Sequence, residues 1–368
     1  MTRYDARTSR SASPWPRLAV FILATLGFVL IAGCTPGDEV AEDGPPETPA
    51  PEPEPEPEPE RETTVPDRET TEDERIVEDP EDATRLAHGT ELRRAHVGLP
   101  EGWSGTPSGP VVSEYDGQII EGLEIDASGV QEAAAIDVVH DDVLVRHVRV
   151  HHRDGRNGIR FESSTTGGRV EFSEFYGHYR EEPHGNFGSI GVVGEGPVDV
   201  YRNYFQGGRD GVRIDRGPAK IYENWVEDLH YHPEAHNDGF AHMGGNDAGH
   251  EIRFARNRTV DGNSGGIDLY ALRGPVQEVT IVDNLVVGGR KGFGIYGGGA
   301  LGYHEANRSV RIEGNRFEGE FAHSGAVGDG TNAGVDLSRP GNTFEDNTWV
   351  GSDEPLPARC GVDRDDCG

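Results

Sequence analysis

The 368-residue sequence has only three cysteines, two methionines and four tryptophans, and of its 34 basic residues all but Lys220 and Lys291 are arginines. Three cysteines cannot build the dense framework of a small disulfide scaffold. Two lysines exclude mechanisms that need a lysine elsewhere and leave arginine as the cationic chemistry. Apolar residues make up 34%, whereas Gly reaches 52 and Pro 24, which disfavours a helical bundle and favours short strands joined by many tight corners. Positive charge is the other shortage. Sixty-six acidic residues set the formal charge at -32, a field that repels phosphate and anionic lipid, so nucleic acid is not an expected partner and cations are.

The uncharged apolar run from Leu18 to Ala32 is too short to favour a spanning helix. Arg3, Arg7, Arg10 and Arg17 precede it and Ile31-Ala32-Gly33-Cys34 closes it, the pattern of a secretory signal peptide over residues 1–33. Small residues directly before Cys34 resemble the lipobox of bacterial lipoproteins. That resemblance implies lipidation of Cys34 and a lipid anchor on the extracellular face of the cell membrane. Residues 34–86 are rich in Pro and Glu, including Pro51-Glu52 through Pro59-Glu60. Such a segment lacks apolar surface to offset chain entropy and repels itself, so a disordered, extended stalk is expected before a domain over residues 87–368.

From about Asp116 the chain repeats alternating apolar residues, an Asn, a Gly-rich corner and another short alternating strand. Asn203, Asn224, Asn257, Asn284 and Asn315 recur at spacings of 21, 33, 27 and 31 residues. Gly158-Ile159, Gly211-Val212, Gly239-Phe240, Gly266-Ile267 and Gly294-Ile295 each open a second strand. A repeat of short strands without a helix buries its apolar face only by stacking on its neighbours, which predicts an all-β, single parallel β-helix of about 8–9 coils. The asparagines are expected to bond to one another along the axis, as structural rather than catalytic groups.

On Val97-Gly98-Leu99-Pro100-Glu101-Gly102, Asp116-Gly117-Gln118-Ile119-Ile120-Glu121-Gly122 and this repeat, the chain from about His96 onward resembles right-handed parallel β-helix proteins of the pectin-lyase-like superfamily, actinobacterial secreted members in particular. The superfamily holds lyases, hydrolases, epimerases and inert spikes, so the resemblance implies a fold and leaves the chemistry open. Asp-Gly-hydrophobic-Arg followed one coil later by His-Asn-Asp-Gly, as in such proteins, matches Asp210, Arg213, His236, Asn237 and Asp238. Ala241 stands where a glutamine is common.

Alternation along the second strand column places Arg160, Arg213, Ala241, Asp268 and Tyr296 in one outward row, with Glu162, Asp215, Met243, Tyr270 and Gly298 beside it. Arg160, Asp268, Tyr270 and Tyr296 suit binding of a saccharide chain. Stacking of consecutive coils about 4.8 Å apart should gather Asp210, Asp238, Arg213 and His236 into one catalytic site. Three readings fit that set. Asp210 and Asp238 holding Ca²⁺ beside an arginine or histidine base make a polysaccharide lyase acting by β-elimination on an acidic glycan, the reading taken first. The same carboxylates as acid and base make a glycoside hydrolase, and a surface without chemistry makes a glycan-binding or adhesive solenoid. Asp-Gly and Asn-Gly also suit the corner before the strand whatever the function.

His230, His232, His236 and His242 are close in sequence, but a loop with no cysteine nearby does not fix tetrahedral zinc geometry. Gly292-Phe293-Gly294-Ile295-Tyr296-Gly297 fits the dinucleotide glycine pattern without the helix it requires. Cys360 and Cys367 are expected to pair as a disulfide in an oxidising exterior, pinning the tail. The expected protein is a monomer whose partners are a polysaccharide and, through Cys34, the membrane.

Overall fold

The computed structural model describes Leu86 and residues 90–129, 134–153, 156–178, 188–230, 237–260, 265–270, 272–288, 293–296, 308–319, 340–352 and 355–356. The chain divides into two units, Met1–Arg75 and Ile76–Gly368, and every described residue belongs to the second. The signal peptide, Cys34, most of the stalk, His232, His236, Cys360 and Cys367 lie outside the described residues.

The chain forms the all-β parallel β-helix that the repeat predicts, with the right hand that the resemblance implies. Three sheets of ten, nine and eight strands run the length of the solenoid, and every ladder between their strands is parallel. One coil takes Val198–Tyr201 from the nine-stranded sheet, Tyr204–Gly207 from the ten-stranded sheet and Asp210–Ile214 from the eight-stranded sheet. Ala219–Tyr222, Trp225–Glu227 and Asp238–His242 make the next coil. Inward side chains stack column on column. Val200 lies on Ile221, Phe205 on Val226 and Val212 on Phe240, all buried. Phe175 and Phe205 stack with ring centres 5.1 Å apart. Burial of each such side chain contributes about 1.5–3 kcal/mol, so the core is a sum of repeated small terms along the axis.

The asparagine ladder is present. Asn203 Nδ2 donates to Asn224 Oδ1 at 3.1 Å, Asn224 to Asn257 at 3.1 Å, Asn257 to Asn284 at 3.0 Å, and Asn284 to Asn315 at 2.9 Å. The column runs one rung further, to Asn347, and Ser173 continues it at the other end by donating its N–H to Asn203 Oδ1 at 3.0 Å. The residue before most rungs has a left-handed backbone, with φ of 51° at Arg202, 54° at Glu223, 53° at Arg256 and 55° at Asp283. That conformation costs a side-chain-bearing residue about 1–2 kcal/mol. The amide offsets it by bonding the backbone that the corner leaves open: Asn224 Nδ2 donates to Val200 O at 2.8 Å and Tyr222 O at 3.0 Å.

Upstream of the repeat the chain is tied along the outside of the coils. The Leu86 N–H donates to Glu223 Oε1 at 3.3 Å, Arg94 bonds Glu174 at 2.7 Å over the ring of Tyr204, and Gly98 N–H donates to Arg202 O at 2.8 Å. Glu223, fully buried, also pairs with Arg202 and Arg256 at 2.8 Å each.

Candidate functional site

The candidate residues sit on or beside the eight-stranded sheet, five of whose strands open with Ala134, Gly188, Asp210, Asp238 or Gly265 at the corner. The register places Val112, Asp137, Arg160, Gly191, Arg213, Ala241, Asp268 and Tyr296 in one transverse row. The expected row thus gains Val112 and Asp137 at one end and Gly191 within it: the strand Gly188–Val192 intervenes and separates Arg160 from Arg213 by two rungs, about 9.6 Å. Arg160 is paired with Glu162 at 2.9 Å and does not meet Arg213. The Tyr296 backbone lies opposite Asp268.

Asp210, Asp238 and Asp268 occupy three successive coils and are 3%, 2% and 1% exposed, so Asp268, expected in the outward row, is buried with the other two. Asp210 Oδ1 accepts the Asp238 N–H at 3.1 Å, tying one coil to the next. This is the corner role that Asp-Gly serves regardless of function. Loss of hydration, then the facing Asp238 charge, pushes the Asp210 carboxyl up to about 8, against the pull of Arg213.

Asp238 and Asp268 share a phenol. Tyr270 Oη lies 2.9 Å from Asp238 Oδ2 and 2.8 Å from Asp268 Oδ2. A phenol has one hydrogen to give, so satisfying both contacts requires one of the carboxyls to carry a proton and donate it to the phenol oxygen. The electrostatics agree. Burial pushes Asp268 up to about 7, and burial together with the Asp268 charge holds Asp238 well above the carboxylate range. Burial and both acids hold the Tyr270 hydroxyl protonated. Asp238 Oδ1 and Asp268 Oδ1 are buried.

Two small residues make room for this arrangement. Gly265 lies opposite Asp238, and a Cβ on it would stand 1.7 Å from Asp268 Oδ1. The Asp268 carboxyl therefore fills the space that the glycine leaves. Ala241, where a glutamine was expected from the resemblance, is buried between Arg213 and Asp268 in the row.

Arg213 has a side chain only 13% exposed, and its Nε donates to Asp215 Oδ1 at 3.0 Å, while Arg273 bonds the other Asp215 oxygen at 2.8 Å. Asn237 is buried and its amide donates to the His230 carbonyl. His242 is fully buried. It stacks in register between Ile214 and Leu269, inside the coil, with Nε2 3.2 Å from Asn246 Oδ1 and burial pushing it down to about 4. Among the described residues no group of three or more His, Cys, Asp or Glu side chains is arranged to hold a metal ion.

Sequence reasoning placed Asp268 and Tyr270 as contacts for substrate, not as partners of Asp238. The one available signal was Gly265 opposite an acid, which becomes readable only once the coil lengths are known.

No protein-family model and no curated protein matches the chain. A similar solved structure is the catalytic unit of a thermostable GH87 alpha-1,3-glucanase from Streptomyces thermodiastaticus strain HF3-3, at 12% identity and a TM-score of 0.34. The alignment covers 69% of this chain and spans about half, 52%, of the length of that one.

Proposed function

We propose that the chain is a glycoside hydrolase acting on a polysaccharide, with Asp210, Asp238 and Asp268 as its reacting carboxyls. The observation that carries this reading is the single phenol of Tyr270 between two buried carboxyls, an arrangement that retains a proton where glycosidic hydrolysis needs one. Near neutral pH Asp210 is largely protonated and suited to donate to the leaving oxygen. The Asp238–Asp268 pair keeps negative charge beside it for the anomeric carbon or its water. Two oxygens each within 2.9 Å of one hydroxyl cannot be as far apart as the roughly 6.5 Å an inverting pair needs for its water, so Asp238 and Asp268 act together on one side of the bond.

Charge turns this reading away from the lyase. A uronate carboxylate needs a cation to neutralise it before β-elimination, and here Arg213 is already paired with Asp215 amid three further acids. The fitting substrate is a neutral glycan. Ca²⁺ held by Asp210 and Asp238 stays the alternative that would restore a lyase. The near-complete burial of all three carboxyls opposes direct access of a glycan. It also supports a second reading, a non-catalytic glycan-binding solenoid in which Asp210 is a corner residue alone. Lipidation at Cys34 would hold either protein on the outer face of the membrane.

The deciding experiment incubates the full chain with neutral and acidic polysaccharides, with and without Ca²⁺, and reads reducing ends together with absorbance near about 235 nm, where unsaturated uronates absorb through their conjugated enol ether. Reducing ends without absorbance, lost in Asp238→Asn and Asp268→Asn, support the hydrolase. Absorbance gained with Ca²⁺ establishes the lyase, and retention of glycan without product establishes the binding module.

A further inference from the structure

On the ten-stranded sheet, away from the acidic cluster, two imidazoles meet at the surface. The register puts Asp126 opposite His151 and His151 opposite Tyr176, and His178 follows two residues after Tyr176 on the same face. His151 Nδ1 lies 3.1 Å from His178 Nε2. The His151 ring stacks on Tyr176 with centroids 5.2 Å apart and is tilted against His178 at 5.4 Å.

We infer that His151 and His178 form a two-imidazole clamp for a divalent transition ion of the Zn²⁺ or Cu²⁺ class. Zinc–imidazole bonds are about 2.0–2.1 Å, so two nitrogens on one tetrahedral ion stand roughly 3.3 Å apart, and two adjacent ones on a square-planar ion roughly 2.9 Å apart. The observed 3.1 Å falls between them. The two nitrogens lie within hydrogen-bonding distance of each other from adjacent coils, so an ion bound between them would take the place of the proton they share. Tyr176 holds the His151 plane, as an orienting neighbour does at a metal site. Asp126 adds a negative field next to the pair, with its Oδ1 fixed by the Ser128 N–H at 3.0 Å and Oγ–H at 2.6 Å. The ion would complete its shell with water or with an exogenous ligand, and would staple the coil of Arg149–Arg153 to that of Glu174–His178.

The surroundings of His151 favour its unprotonated form. Partial burial, then the neighbouring His178, lowers the His151 pKa against the opposing pull of Asp126 and Glu124, with Arg149 acting in the same sense as burial. Neutral imidazole is the ligand form, so binding should weaken as the solution is acidified below the His151 pKa.

The test is calorimetric titration of the metal-stripped full chain with Zn²⁺ alone, alongside His178→Ala and His151→Gln, each checked for native circular dichroism. With 15 histidines in the chain, the informative quantity is the difference between proteins. Wild type should bind one equivalent more than either variant, or bind its tightest ion at least about tenfold more strongly. Cu²⁺ bound to wild type should show an imidazole-nitrogen signature in its electron paramagnetic resonance that is diminished in His178→Ala. Equal stoichiometry and affinity in all three proteins, with unchanged Cu²⁺ spectra, would overturn the inference.

Discussion

Gly265→Ala separates the acidic cluster from the fold that carries it. The glycine is not in a left-handed conformation, so alanine is compatible with its backbone, and at an unobstructed site that exchange stabilises by about 0.4–1 kcal/mol through the unfolded chain. Here the new methyl would stand 1.7 Å from Asp268 Oδ1 and 2.6 Å from its Cγ, well inside van der Waals contact. The obstructing atom is the tip of a short side chain, so the carboxyl swings away and gives up its 2.8 Å contact with Tyr270. Overpacking of this kind costs about 1–3 kcal/mol, which lowers the melting temperature by several degrees in a domain of this size. The catalytic cost is larger. Removing a positioned proton carrier lowers the rate about 10²–10⁴-fold. The assay pairs thermal unfolding with release of reducing ends, and Gly129→Ala, which meets nothing within 4 Å, is the control. A Gly265→Ala protein that melts a few degrees early yet turns over at the wild-type rate would refute the participation of Asp268.

Asp210→Asn keeps an oxygen for the Asp238 N–H but removes the titration. A carboxyl raised from 3.8 to about 8 stabilises fully below its unfolded pKa and loses that contribution as pH rises toward 8, so the variant should gain most over wild type at pH 8 and least near pH 4, read from urea midpoints. Tyr270→Phe should cut activity about 100-fold or more and shift the pH–rate profile, because two carboxyls that share no hydroxyl repel each other more strongly; an unchanged profile would show that the phenol only fills space. Asn257→Ala should cost about 2–5 kcal/mol, since it orphans the Asn224 N–H and Ile221 O inside the column, while the rate per folded molecule stays at wild type.

The solenoid was legible because its cause is local. A side-chain amide every 21 to 33 residues, each followed by an alternating strand, has no economical arrangement except stacking, and the ladder from Asn203 to Asn315 follows. The site was legible only in part, because which residues touch depends on how many residues each coil uses. Gly188–Val192 carries no charge on its outward positions and so left no mark in the outward row, which set Arg160 next to Arg213. The tie of Leu86, Arg94 and Gly98 to the coils was hidden for a different reason: its partners Glu223, Glu174 and Arg202 are distant in sequence and obey no period. Tyr270 looked like a sugar platform because alternation gives the face of a side chain but not its reach.

The column of asparagines has a polarity. Within the column every rung from Ser173 through Asn203 to Asn315 donates a hydrogen to the amide carbonyl of the rung synthesised after it, while the asparagine amides also reach back to backbone carbonyls of the coil before. A nascent chain emerging amino end first therefore displays donors in wait, and each new turn arrives with the acceptor that satisfies them. Zippering from the amino end, one turn at a time, leaves the growing edge hydrogen-rich and matched only to the next turn of its own chain.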